Sequence, residues 1–325
     1  MLHPLHPIKA KVRKAFDLAV GRRMLLGARS LLLGREADQG LLFRAFLYVI
    51  LIEMAFIYLQ PMFYMIANMF KNSADLLDPT VNWIPRTLYA GELQDAWQQL
   101  HYVRSFTISL MLSLVAATFQ TVSCAVAGYA FARLDVPFKK LWSFCLLLSF
   151  IVPTQVVILP NLIMAKELDL MHTYYPILLP ALFGHGLKGA LFVIIYRQFF
   201  LTQPKELEEA ARMDGASVFR FFFRVMLPLA KPAMLVVFLF AFVWSWNDYY
   251  LPSMYLAGSE RVPLSMGVSQ ISLVIAQRTA EYGPSIYDEP LKMATSFLII
   301  LPPLVLYLFA QRWFVEGVER TGLVE

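Results

Sequence analysis

Six predominantly apolar stretches, near residues 45–66, 105–131, 141–163, 176–200, 232–254 and 293–315, constrain this chain more than any motif in it. A helix of roughly 20 apolar residues matches the hydrocarbon thickness of a bilayer, and it satisfies its own backbone polar groups where no water is present. The expected fold class is therefore all-α: a polytopic integral membrane protein with six transmembrane helices. Composition agrees, with 58% of residues hydrophobic and 16% charged, against about a quarter charged in soluble domains.

Lysine and arginine set the orientation, because cationic flanks stay on the cytoplasmic side. With both termini inside, residues 1–44 carry 9 of them, the 132–140 loop 3 and residues 197–231 a further 6. The outer segments 70–104, 164–175 and 253–292 carry only 3, 1 and 3, the residues after Gln311 carry 2, and Lys188, well inside the fourth span, completes the 28. The chain then divides into a cytoplasmic basic amphipathic N-terminal segment (1–40), a first transmembrane helix with an outer loop (41–104), a transmembrane core (105–315) that includes a cytoplasmic loop (201–231), and a cytoplasmic tail (316–325). The N-terminal segment suits a helix lying in the anionic inner interface, or a plain basic flank that fixes topology. It lacks the short apolar core and small-residue cleavage site of a removable signal.

The formal charge of +5 has this topological origin, so membrane lipid is an expected partner and nucleic acid is not. Cys124 and Cys145 fall in the second and third spans, where thiols serve as small buried apolar groups, with no disulfide framework or metal set implied. The five histidines are scattered and neither H-E-x-x-H nor G-x-S-x-G occurs, which argues against an enzyme.

Between the fourth and fifth spans lies a charged island, Pro204 to Pro232. Pro204 is placed to open a helix, with Glu206, Glu208 and Glu209 at the positive end of its dipole. Leu207, Ala210, Ala211 and Asp214 recur on one face, Glu208 and Arg212 are spaced to pair, and Gly215 fits the stop. Ser217 can cap a second helix carrying Phe219, Phe222, Phe223 and Met226 as one apolar stripe, which Pro228 would end.

Glu209-Ala210-Ala211, then Gly215 after three residues, Val225 after nine more, and Leu227-Pro228 resemble the EAA loop of binding-protein-dependent ABC importer permeases. Only Val225, in place of Ile, departs from the pattern. The resemblance covers roughly residues 45–325 and is strongest to the carbohydrate, maltose-type branch, through AGYAFARL (127–134), DGAS (214–217), WNDYY (246–250), WIPRTL (83–88) and the C-terminal QRWFVEGVERTGLVE. The closing GLVE departs from the commoner Gly-Ala-Val-Lys ending.

That resemblance implies a type I importer permease fold and a permease subunit that moves a sugar or oligosaccharide by alternating access. It implies as partners a second homologous permease, two copies of a cytoplasmic ABC ATPase and an extracellular or periplasmic solute-binding protein, all at a bacterial cytoplasmic membrane. The chain has no G-x-x-x-x-G-K-[ST] loop, so it is expected to bind no cofactor, with ATP and Mg carried by the partner ATPase. By the same resemblance Glu209, Ala210, Ala211, Asp214, Gly215, Phe222, Phe223 and Pro228 form the ATPase-coupling set. For Phe222 and Phe223, packing against the permease's own helices is an equal alternative.

Polar and aromatic groups within spans nominate a solute pathway of Gln120, Gln155, Asn161, Trp246, Asn247, Asp248 and Tyr249, with Glu53 as a further intramembrane acid. Interhelical hydrogen bonding is the competing explanation for each. Pro153, Pro160, Pro302 and Pro303 mark expected breaks or kinks. Two other functions fit a polytopic chain: an importer permease for a polyamine, phosphate or amino acid, or an ion-coupled secondary transporter using Glu53 or Asp248. The latter has no need of the hairpin.

Overall fold

The computed structural model describes residues 40–322, with side chains to Arg312. The basic segment expected at 1–40 therefore lies, except for Gly40, outside the described residues, as does the end of the tail. Among the described residues all the regular structure is helical, without a strand. It divides between Tyr64 and Met65 into two units.

The first unit is described over residues 40–64, the larger part of helix α1 (Leu41–Met69). It is apolar on nearly every side, as suits a helix surrounded by lipid, and its Glu53 is exposed.

The second unit begins with a short outer layer. Helices α2 (Ser73–Leu77) and α3 (Gly91–Gln99) bracket a loop held by polar contacts. Asn72 Oδ1 accepts from Asp75 N–H at 2.8 Å, and the buried Asp75 carboxylate accepts from Arg86 N–H at 2.9 Å. Hydrogen bonds from Thr80 and the neighbouring Arg86 hold the Asp78 carboxyl below its usual range.

The centre is α4 (Tyr102–Arg133), packed most extensively on α8 (Gly189–Thr202) and α12 (Lys231–Asn247). Small residues allow this. Ala116, Ala117, Cys124, Ala125 and Gly128 are buried along α4, and small interface residues let helix backbones approach where lipid removes the hydrophobic drive. At Gly128 an added Cβ would lie 2.5 Å from Tyr196 Cβ and 3.0 Å from Arg197 N. Gly128→Ala is accordingly expected to destabilise the fold by about 1–3 kcal/mol, measured as a lower thermal midpoint in detergent; an unchanged midpoint would show that α4 and α8 can separate freely.

A second core joins Met69, Ala96, Leu100, Ile271, Ile275, Leu291, Ala294 and Leu298, from the end of α1, α3, α14 (Gly267–Tyr282) and α15 (Asp288–Gly322). Arg278 pairs with Asp288 across the α14–α15 turn.

The six expected spans do not appear as six straight helices. Three are long, apolar and uninterrupted: α1, α4 and α15. The third is broken into α5 (Lys139–Ile151) and α6 (Thr154–Glu167), inclined by 98°. Pro153 causes this: a residue before proline avoids the helical region, and Val152 (ψ 120°) and Pro153 (ψ 141°) are both extended. Pro160 by contrast sits inside α6, and α15 runs through Pro302 and Pro303.

The fourth span is divided between α7 (Tyr175–Leu182) and α8. Gly184 at φ +72° stops α7, with His185 N–H on Pro180 O at 2.8 Å and Gly184 N–H on Ala181 O at 3.1 Å, the paired bonds of a Schellman stop. The fifth ends early, at Asn247. Asp248 Oδ1 accepts from Tyr250 N–H (3.0 Å) and Leu251 N–H (3.3 Å) and so starts a separate short helix, α13 (Tyr250–Tyr255). One cysteine expectation also changes: Cys124 is buried, but Cys145 is exposed.

Candidate functional site

The charged island folds as a helical hairpin. Helix α9 (Glu206–Met213) starts two residues later than expected, because Pro204 and Lys205 precede it. Glu206, Glu208 and Glu209 occupy its first turn, and Arg212 Nη2 meets Glu208 Oε1 at 2.6 Å on an exposed face. The stop falls at Gly215, φ +71°, with Ala216 N–H on Ala211 O (2.9 Å) and Gly215 N–H on Arg212 O (3.0 Å). Ser217 Oγ then accepts from Arg220 N–H at 3.3 Å and caps α10 (Val218–Phe221).

The second half of the hairpin departs from the expected stripe. A π-turn over Phe222–Met226 follows α10. The expected single stripe divides into two faces: Phe221, Phe222 and Met226 are buried, while Phe219 (77% exposed) and Phe223 (56%), four residues apart, point out. Pro228 does not end the helix. It lies in the first turn of α11 (Leu227–Leu229), and the chain bends by 75° only afterwards, before α12.

Two contacts seat the hairpin on the transmembrane core. Phe222 places its ring 4.9 Å from Tyr129 and 6.3 Å from Phe200, joining α4 and α8. Arg133, the last residue of α4, donates from Nε to Phe200 O at 3.0 Å and from Nη2 to Gln203 O. It therefore adds donors to carbonyls at and just beyond the end of α8, before α9 begins. The AGYAFARL motif was visible in the sequence, but nothing in its spacing assigned Arg133 this part. A cleft of about 350 Å³ lies alongside, lined by Arg133, Asp135, Lys139, Lys205, Glu208, Glu209 and Arg212.

The outward face of the hairpin is Glu209, Ala210, Met213 (88% exposed), Asp214, Gly215, Phe219 and Phe223. Ala211 instead packs partly on the central core. Met213 belongs to this surface though the motif does not include it. An apolar patch rimmed by carboxylates is the kind of surface that marks a protein contact.

Of the seven expected pathway residues, Gln120, Gln155, Asn161 and Asp248 line one cavity of about 660 Å³ among α4, α5, α6, α7, α8 and α13. The other three do not. Trp246 is buried among Phe106 and Phe242 and donates to Ile299 O at 3.4 Å. Asn247 donates back to Val243 O at 2.9 Å, and Tyr249 reaches Ser269 at 3.4 Å. The cavity also takes in His185, Lys188, Ser245 and Tyr255; of these, Lys188 carries a signal in the sequence, as a cation well inside an expected span.

The family described as binding-protein-dependent transport system inner membrane component matches residues 124–320. The sn-glycerol-3-phosphate transport system permease protein UgpE of Pectobacterium atrosepticum is 32% identical over 254 residues, which is 76% of this chain and 85% of that protein. The arabinooligosaccharides transport system permease protein AraQ of Halalkalibacterium halodurans is 28% identical over 83% of this chain and 92% of its own length. Among solved structures, a chain from a bacterial ABC transporter involved in import of the acidic polysaccharide alginate superposes with a TM-score of 0.70 at 20% identity. That match covers 86% of this chain and 98% of the other, so the two share the type I importer permease fold. Permeases of this kind are transport subunits rather than enzymes and hold no cofactor; ATP and Mg belong to their ATPase partner. With the Glu-Ala-Ala hairpin, the apolar spans and these relationships together, the chain belongs to the binding-protein-dependent transport system inner membrane component family, the membrane subunits of ABC importers.

Proposed function

We propose that this chain is one half of an ABC importer permease that carries a sugar or oligosaccharide inward by alternating access. A second homologous permease completes the pathway, two copies of an ABC ATPase dock on the cytoplasmic hairpins, and a solute-binding protein delivers cargo from outside. Both termini lie in the cytoplasm. The relatives' names, for arabinooligosaccharides and for sn-glycerol-3-phosphate, denote hydroxyl-rich cargo and support this class over a polyamine or an amino acid.

The observation that carries the reading is the outward face of the hairpin, with Glu209, Met213 and Phe219 free while Phe222 and Arg133 fix its base to α4 and α8. Such a part can transmit force because its base is packed into the core while its tip is exposed to a partner. In this reading Glu209 makes the polar contact with the ATPase, Ala210 admits its backbone closely, and Asp214 and Gly215 set the turn.

The test is reconstitution of the chain with its partner permease, ATPase and binding protein in proteoliposomes. Glu209→Ala is expected to lower binding-protein-stimulated ATP hydrolysis and uptake by about 10- to 100-fold, the loss anticipated for a charge-assisted contact, with insertion intact. Sodium- or proton-driven uptake that persists without any ATPase would instead establish the secondary-transporter alternative.

A further inference from the structure

The segment between α1 and α3, residues 70–90, is built inside out. Two of its charges are turned inward: Lys71 and Asp75 are buried, Lys71 donating from Nζ to Asn82 O at 3.1 Å while the Asp75 carboxylate accepts from Arg86 N–H. Its large apolar side chains are turned outward. Ile84 is 81% and Leu88 80% exposed, and Leu77, Trp83 and Tyr89 are exposed in the same segment. In water the arrangement would run the other way, because burying a charge is costly and a large apolar side chain gains by leaving the solvent.

Several of the polar groups left outside are committed within the segment. Arg86 Nη2 pairs with Asp78 Oδ2 at 2.5 Å, Thr80 N–H and Oγ1 donate to Asp78 Oδ1 at 2.9 and 2.6 Å, and Asn72 Nδ2 donates to Thr87 Oγ1 at 2.6 Å. Pro79 and Pro85 bring no N–H that needs a partner. The four charges, Lys71, Asp75, Asp78 and Arg86, sum to zero, which leaves no net field to steer a charged protein toward the loop.

Position decides between the occupants an exposed apolar patch can have, a protein or a membrane. Tyr89 N–H donates to Phe70 O at 2.9 Å, which ties the far end of the loop to the residue after Met69, the last of α1. The apolar side chains are thereby held at the end of a span. Tryptophan and tyrosine concentrate where hydrocarbon gives way to headgroups, and Trp83 and Tyr89 flank Ile84 and Leu88 in the sequence.

We infer that the loop from Trp83 to Tyr89 is a lipid anchor, lying in the headgroup layer with Ile84 and Leu88 reaching the acyl boundary and holding α2 and α3 against the membrane. Irregular backbone is not stable in the hydrocarbon itself, so the anchor is interfacial. The orientation proposed above makes its leaflet the outer one; the contact with lipid does not depend on that orientation.

The experiment uses the reconstituted transporter in vesicles of phosphatidylethanolamine and phosphatidylglycerol. In a Cys145→Ser background, which leaves only the buried Cys124 thiol, nitroxide labels are placed singly through Ile84→Cys, Leu88→Cys and, for reference on another exposed loop, Glu260→Cys. Paramagnetic resonance then measures collisions with oxygen, which concentrates in lipid, and with a water-soluble nickel chelate, before and after the solute-binding protein is added. At positions 84 and 88 oxygen collisions are expected to exceed chelate collisions, chelate collisions to fall below those at position 260, and the binding protein to change neither. Chelate-dominated collisions at either position would put the loop in water and overturn the inference. Loss of both kinds of collision when the binding protein is added would make the loop a docking surface for that protein, and loss of both from the outset would make it a contact with the second permease; each overturns the lipid anchor. Failure of the chain to assemble with an ATPase would bring down the importer reading alone, since the same collisions measured on the chain by itself in those vesicles still decide this one.

Discussion

Gly215→Pro is expected to reduce ATP-driven uptake to below about one-hundredth of the wild-type rate, because proline fixes φ near −65° and carries no N–H. Gly215 stands at φ +71° and donates to Arg212 O, so both the conformation and the bond are lost. The helical residue before it is also disfavoured: Asp214 has φ −76° and ψ 2°, a region that a following proline crowds. The two arms of the hairpin would then lose their angle while the spans beneath stay folded. Gly215→Ala isolates the conformational part. A Cβ at this position meets nothing within 4 Å, so its cost is the left-handed backbone alone, about 1–2 kcal/mol, and the expected phenotype is partial. Uptake and stimulated hydrolysis, normalised to the amount of chain in the membrane, check both; wild-type uptake by the proline variant would remove the hairpin from the coupling path.

Phe222→Ala is expected to cost about 3–5 kcal/mol, the range for emptying a buried aromatic site. Phe222 is 4% exposed, and its ring bridges Tyr129 and Phe200. Its neighbours should respond in the opposite sense. Phe219→Ser and Phe223→Ser remove exposed rings, so they should leave stability within about 0.5 kcal/mol yet weaken retention of the ATPase on the membrane. Thermal midpoint in detergent and ATPase recovered with purified permease form the two readouts. Were Phe222→Ala to keep the midpoint while losing ATPase, Phe222 would be a docking residue and its inward packing irrelevant.

The membrane class and the hairpin could be read from the residues because both depend on local rules. Apolar run length announces spans, and Glu206 to Glu209, Gly215 and Ser217 announce helix starts and stops through charge, φ and capping geometry. What escaped was non-local or non-ideal. The stripe through Phe219, Phe222, Phe223 and Met226 rests on a uniform 3.6-residue period, but tertiary contact with Tyr129 and Phe200 decides that Phe222 is buried and Phe219 is not, and the segment continues as a π-turn over Phe222–Met226. The straight fourth span hid a stop at Gly184, since an apolar run gives no signal where its backbone turns over. Arg133 looked like a basic flank until α8 brought its carbonyls alongside, 67 and 70 residues further along the chain. In the pathway set, residue type points to Trp246 and Asn247, but orientation about α12 sends both to hydrogen bonds within the helical framework. In the sequence Lys188 is only a cation inside an apolar run; its place on a cavity wall depends on how α7 and α8 are separated.

Cys145 lies on that same wall. The chain has two thiols: Cys124 has no exposed surface, and Cys145 is exposed and lines the cavity. The protein thus brings its own chemical reporter, a single exposed sulfur on the cavity wall and a silent one in the core. Membrane-impermeant alkylating reagents, offered from one side and then the other at each stage of the nucleotide cycle, would time the opening of the cavity to each aqueous compartment. No engineered label is required.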